Sequence, residues 1–169
     1  MTISKATSRI LDQLINVINK IDAEDYVKPL AIYNGATIGK HFRHIYDFYD
    51  CLICGGRKGC IDYCNRNRIV ELESSQDGII TFFNKIKSEI DTLDPKETIE
   101  VYGDFEYENG DRPKCTSSLG REMLYAYDHA VHHLAIIKLG IRAEIPGVLL
   151  DNSIGIAAST LRHQFINTK

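Results

Sequence analysis

Five of the six histidines in this 169-residue chain fall in two short stretches. One holds His41 and His44; the other holds His129, His132 and His133. Imidazole is the commonest neutral nitrogen ligand for zinc, nickel and related ions. His129 and His133 are four residues apart, so on an α-helix they stack on one face, one turn from each other. If a second helix brought a third imidazole to them, three neutral ligands would hold an ion and leave a coordination position open, as catalytic metal sites do. Zinc in such a site lowers the pKa of its water to about 7 and deprotonates a ligated thiol outright. Set against this is the ordinary alternative, in which an i,i+4 histidine pair is a surface feature or a hydrogen-bonded core pair.

The helices that must carry these residues can be read from apolar spacing. Residues 3–22 place Ile10, Leu14, Val17, Ile18 and Ile21 at helical intervals. Pro29 and Asn34-Gly35 interrupt before a second helix over about 36–54, whose core stripe is Ile38, Phe42, Ile45, Tyr49 and Leu52. His41, His44 and Phe48 form the adjacent stripe, which puts the histidines beside the core. Gly55-Gly56 should end that helix, and residues 55–73 read as a loop. Ser74 and Asp77 resemble a capping box for a third helix that runs to about Leu93, before Asp94-Pro95.

Between 97 and 116 the apolar period changes to two. Residues 98–102 and 105–107 alternate, and Asn109-Gly110 or Gly103-Asp104 can supply a hairpin turn. Ser117 or Ser118 should cap a fourth helix that ends at Gly140, with a short helix or turn over residues 154–164. Four amphipathic helices and one β-hairpin predict a single all-α domain over residues 1–169, a four-helix bundle with a small hairpin between helices three and four.

Bulk properties exclude several functions. With a formal net charge of −3 and no local block of Lys or Arg, nothing favours nucleic acid as a partner. No apolar run is long enough to span a membrane, and the first residues lack the pattern of a secretory signal, so a cytoplasmic protein is expected. An odd count of five cysteines fits reduced thiols. Cys51, Cys54, Cys60 and Cys64 approach a zinc-binding spacing, but the gap between the pairs is too short for common zinc folds, and packing or loop thiols are the expectation.

The segment Thr37-Ile38-Gly39-Lys40-His41-Phe42-Arg43-His44-Ile45, the His129/His133 pair, and residues 61–68, 119–122 and 155–160 together resemble the DinB/YfiT-like four-helix bundle family. The resemblance implies a divalent metal, zinc or nickel, held by one histidine of helix two and the i,i+4 pair of helix four. By position these are His44, His129 and His133, with His41 as a rival ligand or pocket neighbour. It also implies a small-molecule substrate, thiol S-transfer in some members with a low-molecular-weight thiol as cosubstrate, and a homodimer. No catalytic residue is assigned. Ligating histidines need their second ring nitrogen held by a carbonyl or carboxylate, for which Asp47 and Glu122 are candidates against a reading as ordinary helix charges. Tyr63 and Arg66 are candidates for the mouth of the pocket, Arg66 either as an anion binder or as a pin pairing with a carboxylate. His132, about 100° round the helix from its neighbours, should point elsewhere, and His163 should be a solvated tail residue.

Overall fold

Helix α1 (Ile3–Ile18) starts where the Thr2 side chain accepts from the Lys5 amide, and it buries Ile10, Leu11, Leu14, Val17 and Ile18. In this computed structural model, which describes residues 1–104 and 112–167, the chain is mostly helical with one small three-stranded sheet. After α1 come a short helix α2 (Ala23–Val27), the long α3 (Ile38–Gly56), strand β1 (Cys60–Asp62) and helix α4 (Gln76–Ile90). Strands β2 (Thr98–Tyr102) and β3 (Lys114–Ser118), helix α5 (Leu119–Glu144) and helix α6 (Ala158–Asn167) follow.

The four long helices pack in a ring, α1 against α4 and α5, and α3 against the same two. Their apolar stripes meet in one core that includes Leu14, Phe42, Tyr49, Phe83, Met123 and Ile137. Helices α3 and α5 run antiparallel: Gly56 at the end of α3 lies against Leu119, while His41 near its start lies against His133.

The sheet ties the other end of this pair together. Strand β1 leaves α3 almost at once and pairs in parallel with β2, with Ile61 opposite Val101. Strand β2 pairs antiparallel with β3, Thr98 opposite Ser118, and Ser118 is itself the cap of α5, its side chain accepting from the Arg121 amide. The sheet therefore spans from the C-terminus of one histidine-bearing helix to the N-terminus of the other. Residues 105–107 and the candidate turn Asn109-Gly110 lie outside the described residues; Gly103, of the other candidate turn, donates its amide to the Pro113 carbonyl at 2.8 Å, and the partner of β2 is 114–118.

Several boundaries differ from the sequence expectation. The segment 55–73 is not wholly loop, because β1 finds its partner forty residues on. The cap of α4 is Ser75, which accepts from the Gly78 amide, one residue later than expected. Gly140 does not end α5. It sits inside the helix because Tyr33 packs there: a Cβ at this position would lie 2.0 Å from the Tyr33 hydroxyl. That hydroxyl donates to the carbonyls of Ile136 at 2.8 Å and Ile137 at 3.1 Å. The helix instead continues to Glu144, whose carboxylate accepts from the amides of Ala31 and Ile32. No described helix is long and apolar enough to cross a membrane.

Candidate metal centre

Helices α3 and α5 bring His44, His129 and His133 together. One ring nitrogen from each lies within 4.8 Å of the others, close enough for the three to bind one metal ion. Among the described residues this is the group of histidine, cysteine and carboxylate side chains so placed. The three rings are partly buried, with centroids 4.5 to 5.0 Å apart. The Nε2 atoms of His129 and of the adjacent His41 are buried and have no hydrogen-bond partner among the described residues. An orphaned buried nitrogen is costly unless something else satisfies it, and a cation does so.

His41 is not the third member of this group. Its Nδ1 lies 3.2 Å from Nδ1 of His133, so one ring must donate to the other. This is the position of a neighbour that orients a ligand. Tyr33 packs edge-on against His41, centroids 4.6 Å apart. His132 is exposed and outside the group, and His163 is an exposed residue contacting Asn167, both as expected.

Burial pushes the imidazole of His44 down to about 3, that of His129 to about 4 and that of His133 to about 2, with the neighbouring histidines and Arg66 adding smaller effects on His44 and His129. Burial also lowers His41. All of them are neutral near pH 7, which is the form that ligates. The same shifts set an acid limit on the metal-free protein. Above about pH 6.5 neither folded nor unfolded chain protonates these rings. As pH falls below that value the unfolded chain takes up protons that the folded chain resists until about pH 4 or lower, so stability is lost through this window. For three partly solvated rings the expected loss is roughly 1–2 kcal/mol per pH unit. Denaturant unfolding in the presence of chelator at about pH 7 and about pH 5 measures it; an unchanged midpoint would contradict the assigned burial.

The carboxylates expected to orient the histidines are occupied elsewhere. Asp47 is buried and accepts a hydrogen bond from Arg43, whose Nε in turn donates to Glu73 at 2.8 Å. Glu122 is buried and accepts from the Ser117 hydroxyl at 2.6 Å, with the Tyr63 side chain close by. Neither reaches an imidazole among the described contacts. Instead Phe48 lies flat on His129, ring centroids 3.7 Å apart and planes 22° from parallel. Tyr63 stacks on Phe48 at 5.2 Å, and Arg66 lies over the Phe48 ring at 5.1 Å while its Nη1 donates to the Tyr63 carbonyl. Arg66 pairs with no carboxylate among the described residues, contrary to the pin reading. Phe48 was legible in the sequence only as a neighbour of His44 on one stripe, and Tyr125, which touches Phe48 and Tyr63, carried no signal there.

Among the described residues the cysteines form no second centre. All five are free thiols; Cys51 donates to the Asp62 carbonyl and Cys54 to the Asp50 carboxylate. Burial pushes the Cys51 thiol up to about 12, so it is inert as a nucleophile at neutral pH.

Comparison of the chain with family models, with curated proteins and with solved structures finds no match.

Proposed function

We propose that the chain is a divalent-metal-dependent enzyme with a DinB/YfiT-like four-helix bundle, its ion, zinc or nickel, held by His44, His129 and His133. The observation that carries this reading is the convergence of three neutral imidazoles from two helices, one of them with a buried, unpartnered nitrogen. When bound, a dipositive ion on three uncharged ligands supplies Lewis-acid polarisation and favours the anionic form of an oxygen or sulfur ligand. The protein's residues supply orientation and water exclusion. His41 fixes the His133 ring through their Nδ1 contact, and Phe48 and Tyr63 cover the His129 side. The reaction class is transfer or hydrolysis on a small molecule, with a low-molecular-weight thiol as cosubstrate, in a cytoplasmic homodimer.

A second reading, an ion that only ties α3 to α5, is favoured by the engagement of Asp47 and Glu122 with Arg43 and Ser117, which among the described residues leaves no carboxylate on the imidazoles. Metal analysis tests what the two readings share. The purified protein is expected to retain about one equivalent of zinc or nickel, and to keep it when Cys54 and Cys64 are both replaced by serine. A protein that retains none after loading and dialysis would overturn both. A screen of thiols with electrophiles then separates them, turnover supporting the enzyme.

A further inference from the structure

The strongest unexplained group beside the histidines is Arg66. Its Nη1 is taken by the Tyr63 carbonyl, while its Nε is buried and has no hydrogen-bond partner. Arg43, another guanidinium near the site, pairs with Asp47 and Glu73; Arg66 makes no ion pair among the described residues, and Asp47 is the carboxylate that feels its charge. The Arg66 guanidinium lies over Phe48, 5.1 Å from its centroid, and Phe48 stacks on His129. A dipositive ion on uncharged ligands would feel that positive guanidinium in a partly desolvated site, where Coulomb forces are strong. An anion between the two relieves that repulsion.

The geometry specifies the anion further. With Nη1 engaged, the guanidinium keeps its side-on edge, Nε with Nη2, as two parallel donors. That edge matches the two oxygens of a planar carboxylate. Beside it Tyr63 stacks on Phe48, with Tyr125 tilted against both, centroids 5.2 to 5.9 Å apart.

We propose that Arg66 is the specificity-determining residue of the histidine centre, and that it selects small carboxylates, binding the carboxylate on its Nε/Nη2 edge. This rests on the metal-centre reading above and adds the substrate's chemical class to it.

The probes are benzoate and benzamide, which share a shape and differ in charge. Each is titrated calorimetrically into zinc-loaded protein, with zinc content measured on the same samples. Native protein is expected to prefer benzoate by about ten- to hundredfold, the range of a charge-assisted, two-point hydrogen bond. Arg66→Gln should remove that preference while keeping its zinc, and should bind zinc a few-fold more tightly because a repelling cation is gone. Arg66→Lys keeps the charge without the paired donors and should lose most of the preference, which tests the same point if the glutamine variant fails to fold. Retained zinc with equal affinity for the two probes, with no binding of benzoate, or with an unchanged preference in both variants, overturns the assignment of Arg66 and leaves the metal centre standing. Native protein that holds no zinc overturns both.

Discussion

Replacing His133 by alanine is expected to lower the affinity for zinc by at least about a hundredfold, more than the 10- to 100-fold typical of losing a residue that merely orients a ligand. His133 is the hub of the cluster: its ring lies 4.5 Å from His129 and 4.7 Å from His44, and it alone contacts His41 through nitrogen. Two imidazoles on separate helices would remain, too few to displace the hydration shell of the ion at low concentration. The effect has a second readout in stability. An ion at about 100 times its dissociation constant stabilises the folded state by about 2.7 kcal/mol. That increment, seen as a rise in Tm on adding zinc, should vanish in His133→Ala. The metal-free variant, conversely, should lose less stability on acidification than native protein, because one of the rings that resist protonation is gone. His41→Ala should weaken zinc by about tenfold or somewhat more, as an orienting neighbour, and His132→Ala should change nothing. Zinc affinity within a few-fold of native in His133→Ala would show that the three rings do not act as one ligand set.

Why these residues were legible while others were not follows from how far apart the determining groups lie. The His129/His133 face is a property of one helix and its 3.6-residue period, so spacing alone announces it. His41 and His44 are three apart on α3, both directed at α5, and spacing could not choose between them. The choice needed the packing of Tyr33 and His133 on His41. The same distinction separates the elements. Each long helix carries its apolar stripe within itself, and all four form along it, although α1 stops at Ile18 rather than 22, α4 at Ile90 rather than Leu93, and α5 runs past Gly140 to Glu144. Strand β1 is three residues in a polar, cysteine-containing segment, and it exists because Ile61 and its flanking backbone meet β2 from far along the chain. Gly140, a helix stop by local rules, lies within α5 because Tyr33, a hundred residues earlier, needs the space. Asp47 looked like a partner for His44 one turn away. It faces Arg43 instead, a residue whose burial depends on Glu73 and which no local pattern singled out.

That Arg43 network should produce the largest loss of stability of any single substitution outside the core. Arg43 is 6% exposed and Asp47 1%, and one Asp47 oxygen is already buried without a partner. Burial raises the Asp47 carboxyl above the usual carboxylate range, and the adjacent Arg43 guanidinium, with smaller effects from Arg66 and Arg68, holds that rise back. In Arg43→Met the methylene stem is roughly replaced but the counter-charge is lost. The expected cost is about 3–5 kcal/mol, the usual range when one member of a buried ion pair is removed. Arg43→Met combined with Asp47→Leu should recover a large part of that loss, since two apolar side chains leave nothing uncompensated. The comparison by urea unfolding is a double-mutant cycle whose coupling energy should exceed about 1 kcal/mol; additive losses would mean the pair contributes no more than two separate contacts. The consequence reaches the site as well. Arg43 to Glu73 fastens the end of the segment that begins with Tyr63 and Arg66 to the start of α3, and the Tyr26 hydroxyl, donating to the Leu72 carbonyl at 3.1 Å, fastens it to α2. The contact is close enough that a Cβ on Gly39 would lie 2.0 Å from the Glu73 carbonyl. Releasing Arg43 therefore loosens the segment that carries Arg66, and Arg43→Met should weaken benzoate binding even at temperatures where the variant is fully folded and still holds zinc. Were the double variant to restore stability but not benzoate binding, the Glu73 arm of the network, and not the Asp47 arm, would be what positions Arg66.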